Sequence, residues 1–311
     1  MARFGRIPRL MNKQVGHFPY LHQELVMTSS IQRTAVPYQG SGPNFGPDPL
    51  TERVRATWTA GDFGRIAKGY ERGAAEFIAR LGLEPGEAVL DVACGTGNLS
   101  LPAARAGASV TGIDIAPNLI AQAEANAGSE GLRIAFDVGD AERLPYPDGA
   151  FQTAVTMFGA MFAARPERAS AELLRATRRG ARIAMANWTP TGFVGEMLKT
   201  TVRFVSAPAG VPSPLLWGTE EAVRERLGAG TKSLAFARRL ITFEYPLGPA
   251  EVVDYFRLWY GPTLRAFGTL DETGREGLRR ALERLWTDHN LARDGTTRVV
   301  SEYLEVVAVM K

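Results

Sequence analysis

The segment Val89-Leu90-Asp91-Val92-Ala93-Cys94-Gly95-Thr96-Gly97-Asn98 restricts the fold more than any other part of the chain. An apolar run leads straight into Gly-x-Gly and then into a helical pattern. Glycines let the backbone turn sharply and approach a ligand closely, and the helix start beyond them offers free N–H groups. Further short apolar runs follow at Ser109–Asp114, Arg133–Val138, Phe151–Met157 and Arg182–Asn187, interleaved with helical stretches at Leu99–Ala106, Pro117–Ala127 and Glu167–Arg178. Such alternation makes a parallel sheet covered on both faces. The expectation is an α/β, doubly wound core over about residues 60–190.

On the N-terminal side, Phe63, Ile66, Tyr70, Ala74, Phe77 and Leu81 recur at helical steps, and Gly82 with Pro85-Gly86 ends that helix. Beyond Trp188 the alternation breaks. A helix is expected over Gly192–Val205, then a stiff loop at Pro208–Pro214 and a helix from the capping Thr219 to Leu227. Arg239–Tyr245 reads as a strand, Pro249–Phe267 and Asp271–Asn290 as helices, and Val299–Met310 as a last strand. Two late strands parted by helices suggest an antiparallel edge hairpin whose connections have grown into a helical lid. The core would thus gain segments 236–247 and 299–311, and the lid would come from insertions at about 191–235 and 248–298.

Charge separates a tail from this body. Of the net +3, residues 1–50 hold five basic residues against two acidic ones, which leaves 31 of each sign in the remainder. Those first 50 residues end in the Gly- and Pro-dense run from Gly40 to Pro49 and read as a disordered or loosely ordered basic tail ahead of a domain over 51–311. A neutral body lacks the basic groove that a nucleic acid requires, so no nucleic-acid partner is expected. One cysteine and three scattered histidines supply no metal cluster. No apolar run approaches about 18 residues, so a protein without a membrane span, in the cytoplasm, is expected.

The chemistry lies in the acids at the strand ends. Asp91 stands four residues ahead of Gly95, where it would repel a pyrophosphate and suit a cationic amino-acid headgroup. Ser100 leaves the dinucleotide pattern G-x-G-x-x-G incomplete. Asp114, at the end of Val110-Thr111-Gly112-Ile113-Asp114, can accept both hydroxyls of a ribose. Asp140, in Gly139-Asp140-Ala141-Glu142-Arg143-Leu144-Pro145, can accept from an exocyclic amine of adenine. Together these residues outline an adenosine site with an acidic turn.

In these three segments the chain resembles the class I S-adenosylmethionine-dependent methyltransferases, small-molecule branch, near the ubiquinone- and menaquinone-biosynthesis enzymes. The resemblance runs from about Trp58 to Trp188 and implies a seven-stranded Rossmann-like sheet and S-adenosyl-L-methionine as cofactor. It implies that Asp91, Gly95 and Gly97 line the methionine end, that Asp114 holds the ribose, and that Ala93 and Ile115 are further cofactor-binding residues. Asp140 and Ala141 would frame the adenine, Phe158 and Gly159 would pass the sulfonium, and Tyr70 would cover the methionine moiety. Gln152 stands where relatives commonly carry Asp, at a strand start, which bears little on cofactor binding.

The acceptor is less defined. Trp188, Phe193, Phe204, Trp217, Tyr255, Phe256, Trp259 and Tyr260 make the insertions aromatic, which points to a small apolar or aromatic acceptor under the lid. His289 and Tyr260 are weak candidates for catalysis, with Glu196 and Asp254 as possible polar contacts, and Cys94 reads as a buried filler. A nicotinamide oxidoreductase, disfavoured by Asp91 and Ser100, a nucleic-acid methyltransferase and a cofactor-holding protein without catalysis are the rival readings. Oligomeric state stays open.

Overall fold

The computed structural model describes residues 48–206 and 210–311; the expected basic tail, apart from its last three positions, and positions 208 and 209 of the expected stiff loop lie outside the described residues. Seven strands, β1 (Ala88–Val92), β2 (Ser109–Asp114), β3 (Ala135–Val138), β4 (Phe151–Met157), β5 (Thr177–Trp188), β6 (Thr231–Tyr245) and β7 (Thr297–Met310), join in the order β3-β2-β1-β4-β5-β7-β6. The first five pair in parallel, and β7 runs antiparallel to both β5 and β6. The reversed strand therefore sits one place in from the edge, and β6 forms the edge itself. Leu90, Ile113, Ile183 and Met185 are fully buried in the sheet, as its apolar runs require.

Three helices precede the sheet: α1 (Pro49–Thr59), α2 (Phe63–Ala67) and α3 (Glu71–Leu81), with a 3-10 turn at Lys68–Tyr70. The crossovers carry α4 (Ser100–Arg105), α5 (Pro117–Ser129) and α6 (Pro166–Ala176). Between β5 and β6 lie α7 (Phe193–Val202) and α8 (Glu220–Leu227); between β6 and β7 lie α9 (Pro249–Trp259), α10 (Gly261–Thr269) and α11 (Glu272–His289). The strand order runs outward from β1 to β3 and then returns to β4 on the other side of β1. Right-handed crossovers place the later helices on the opposite face after such a reversal, and the crevice between β1 and β4 is where ligands bind in sheets of this kind.

Element boundaries differ from the sequence reading at several points, among them the start of β5 at Thr177, inside the helix expected to run to Arg178, and four of the departures have a visible reason. Helical order begins at Pro49, inside the span expected to be tail, because Asp48 caps α1 by accepting from the Leu50 N–H at 3.3 Å. The helix expected over Phe63–Leu81 is interrupted by the 3-10 turn that places Tyr70. The helix expected over Pro249–Phe267 breaks at Tyr260, because Pro262 has no N–H to donate to the Leu258 carbonyl and its ring crowds that oxygen; Gly261 then packs so closely on Thr57 that a Cβ would lie 2.0 Å from its carbonyl oxygen. Edge strand β6 starts at Thr231 instead of Arg239, since it pairs with β7 along its whole length. By contrast, the helix capped by Thr219 stands as read, with the hydroxyl accepting from the Ala222 N–H at 3.4 Å.

Candidate active site

The crevice between β1 and β4 opens on two unusual residues. Ala93 (φ 57°), just past β1, and Phe158 (φ 56°), just past β4, are the non-glycine residues with left-handed backbone among those described. Such conformations cost about 1–3 kcal/mol each and cluster where a site dictates the backbone. The two turns touch: a Cβ on Gly159 would come within 2.7 Å of the Ala93 carbonyl oxygen. Phe158 is fixed from several sides. Its N–H donates to the Ala186 carbonyl at 2.9 Å, and its ring stacks on Trp188 at 3.4 Å between centroids with an edge contact from Tyr303.

Gly95 (φ 56°) and Gly97 (φ 92°) carry the turn after β1. The Gly95 N–H donates to Oδ2 of Asp114 at 2.9 Å, while the Ala116 N–H donates to Oδ1 at 2.9 Å. Each carboxylate oxygen keeps a lone pair for a further donor such as a ligand hydroxyl. Asp91 is 1% exposed, and its Oδ2 accepts from the Ser100 hydroxyl at 2.6 Å. Burial pushes the Asp91 carboxyl up to about 7; the Ser100 hydrogen bond opposes the shift and the charge of Asp114 adds to it. Asp114 is raised as well, by burial, against the N–H groups of Ala116, Gly95 and Ile115. Two buried carboxylates without a cationic partner among the lining residues make a place that favours a positively charged ligand.

A third acid is held from outside the sheet. Asp140 Oδ1 accepts from the Glu142 N–H at 2.9 Å and Oδ2 from the Thr51 hydroxyl of α1 at 3.2 Å. Arg165 bridges Glu142 at 2.9 Å and Asp48 at 2.5 Å. These bonds fasten the start of α1 across the corner where Asp140 stands. The resulting cavity is lined by Asp91, Ala93, Gly95, Asp114, Ile115, Asp140, Ala141, Phe158 and Tyr70 from the sequence reading. Gly97 is not among its lining residues: it faces a groove behind the turn, where Leu101 and Ala123 pack against it. Cys94 lines the cavity but is buried, with its thiol pushed well up by burial, then by Asp91 and Asp114, so it remains a neutral filler.

Sequence reasoning missed the residues from α1, namely Thr51, Val54 and Trp58, and it passed over Asn98. A signal for α1 was present in Asp48-Pro49 as cap and first helical residue, with Leu50, Val54 and Trp58 at i, i+4 and i+8.

The cavity shares Trp58, Phe63, Tyr70, Phe158 and Phe162 with an adjoining chamber, also walled by Trp188, Phe243, Phe256 and Tyr260. Tyr260 is 5% exposed, its phenol is pushed up by burial, and it makes no side-chain hydrogen bond among the described residues. Tyr70 is likewise raised, by burial and then by Tyr260, against a hydrogen bond to Asn98. Of the aromatic residues expected in the lid, Phe193, Phe204, Trp217, Tyr255 and Trp259 are not among the chamber's lining residues. His289 does not line it either; it packs on Phe193 and faces Glu196 at 3.4 Å, while Asp254 pairs with Arg279 at 2.9 Å. Among the described residues no acid/histidine/cysteine group could hold a metal, and no helix is long and apolar enough to cross a membrane.

Comparison with known proteins supports the same region. A family model described as a methyltransferase domain matches residues 89–180. An uncharacterized protein of Mycobacterium tuberculosis is 36% identical over 228 residues, covering 70% of this chain and 81% of that protein. The demethylmenaquinone methyltransferase of Thermus thermophilus is 39% identical over 104 residues, which is 33% of this chain and 47% of the enzyme. Among solved structures, the YcgJ protein of Bacillus subtilis superposes with a TM-score of 0.53 at 16% identity, covering 77% of this chain and 99% of that one, a likeness of fold.

Proposed function

Since the chain belongs to the class I S-adenosylmethionine-dependent methyltransferases, we propose that its acid-floored cavity holds S-adenosyl-L-methionine and its aromatic chamber a small apolar or aromatic acceptor. The donor set suits that cofactor. Asp91 would take the cationic amino group, Asp114 the ribose hydroxyls, and Asp140 with the Ala141 backbone the adenine. Gly95 keeps the floor free of side chain, Ile115 adds an apolar wall beside the ribose, and Tyr70 covers the methionine end. When bound, the cofactor supplies a methyl group on a positively charged sulfur.

The protein's own contribution is then placement and dryness. Phe158, locked between Trp188 and Tyr303, forms the wall shared by the two compartments, and α1 closes the cavity from above. Holding a nucleophile in line with a reactive carbon removes much of the entropic barrier, and an aromatic chamber strips water that would shield the nucleophile. No histidine or lysine lines either compartment, and the carboxylates Asp91, Asp114, Asp140 and Glu142 line the cavity, not the chamber, so no strong base stands among the chamber's lining residues. Tyr260 and Tyr70, with phenols raised by burial, act as neutral polar tips.

The observation that carries this reading is the convergence of Asp91, Asp114 and Asp140 in one cavity that opens into an aromatic chamber. Incubation with methyl-labelled cofactor and a panel of small molecules tests it. Label should pass to uncharged or weakly basic aromatic compounds and not to duplex or single-stranded nucleic acid. Transfer to nucleic acid alone would overturn the small-molecule reading.

A further inference from the structure

The electrostatics of the two compartments narrow the acceptor further than size and polarity do. The residues that line them include four carboxylates, Asp91, Asp114, Asp140 and Glu142, and no lysine, arginine or histidine. Glu142 is neutralised by Arg165, which reaches it from outside the cavity at 2.9 Å. The other three acids exceed the single net positive charge that S-adenosylmethionine brings, so the loaded site stays negative. An anionic acceptor would enter against that field in a water-poor chamber.

The chamber walls add a second preference. Trp58, Tyr70, Trp188, Phe243, Phe256 and Tyr260 surround it, and their contacts are mostly edge-on, as between Trp58 and Tyr260 at 70° and Tyr70 and Trp188 at 85°. Aromatic rings attract cations, most strongly where both are desolvated. The polar tip available there is the Tyr260 hydroxyl, which has no side-chain hydrogen bond of its own among the described residues.

We propose that the aromatic chamber recognises a hydrophobic amine and retains its methylated ammonium form. This rests on the cofactor reading above and names the acceptor class for the same site. It also accounts for the lack of a base. The fraction of the amine that is already unprotonated in bulk water is the form methylated, since a free lone pair is needed to attack the methyl carbon as its bond to sulfur breaks. The amine then presents its lone pair without a protein group having to remove the proton. The cationic product is held by the ring faces and the residual acidic field.

The test uses the full chain saturated with S-adenosylhomocysteine and three probes of matched size: benzyltrimethylammonium, its carbon isostere neopentylbenzene, and phenylacetate. Tryptophan fluorescence reports occupancy. The quaternary ammonium should bind at least about tenfold more tightly than the isostere, with no measurable binding of phenylacetate. Trp58→Leu, at a partly buried position, should reduce the ammonium preference by about threefold or more, whereas Leu240→Ala, at an exposed position outside both compartments, should leave it within about twofold. Equal or tighter binding of the isostere or of phenylacetate would overturn the amine assignment while leaving the cofactor reading intact. Failure of S-adenosylhomocysteine to bind at all would remove the cofactor reading, and the amine assignment with it.

Discussion

The proposed cofactor floor and the proposed acceptor chamber share the wall at Phe158 but draw on the chain in opposite ways. Asp91, Gly95 and Asp114 come from one β-α-β unit, and each is needed for a backbone or charge property that no other residue type supplies. Trp58, Tyr70, Trp188, Phe243 and Tyr260 come from elements scattered over most of the chain and are joined only by packing. A donor common to many enzymes can be held by a local, rigid floor. An acceptor that differs between enzymes is better met by walls that exchange one ring for another without disturbing the sheet.

If that division holds, substitutions on the two sides separate cleanly. The largest effect is expected from Asp114→Ala, which removes an acceptor for two backbone N–H groups and, on the proposed reading, for the ribose. S-adenosylhomocysteine affinity should fall by roughly 100-fold, about 3 kcal/mol, in calorimetric titration. Gly159→Ala comes next, because its Cβ would sit 2.7 Å from the Ala93 carbonyl oxygen and must push two strand ends apart. Urea unfolding should show a loss of about 2 kcal/mol, with weaker cofactor binding alongside.

A pH profile sharpens the floor's side of the comparison. Asp91 ionises near 3.8 in the unfolded chain and about 7 when folded, so the free protein loses stability as pH rises from about 4 to about 7. A cationic headgroup favours the carboxylate, and cofactor binding should therefore release a proton. Affinity should climb with pH, by up to about tenfold per unit, and level off above about 7. Asp91→Asn should flatten the profile; a slope unchanged in that variant would assign the titration to another group. The smallest effect is expected from Trp58→Leu, with cofactor affinity changed by less than about threefold while the acceptor KM rises, because Trp58 stands at the passage between the compartments.

Legibility in the sequence followed the same division. Asp91, Gly95, Asp114 and Asp140 could be read because each is tied to a strand end by short spacing, and the sheet brings those ends together. Gly97 could be read as part of the turn but not for the side it faces, since the spacing is the same whether a glycine meets ligand or the Leu101 side chain. Helix α1 went unread because it buries no residue fully and its apolar stripe is three residues long. The break at Tyr260 was marked locally by Gly261-Pro262, a helix-breaking pair inside the expected span, whereas the close approach of Gly261 to the backbone of Thr57 is a contact that no local pattern encodes. His289 drew notice as the one histidine of the body, but residue chemistry without placement is a weak guide: it ends α11 and faces Glu196 of α7, away from both compartments.

The central claim is that the acid-floored cavity is a cofactor site set up by Asp114 and the turn beneath it. Calorimetric titration of the full chain with S-adenosylhomocysteine, beside Asp114→Ala, tests it most directly. One molecule bound per chain, with most of the affinity lost in a variant that still unfolds cooperatively, is the expected result. No heat of binding to the unsubstituted chain, or undiminished binding to the variant, would contradict it.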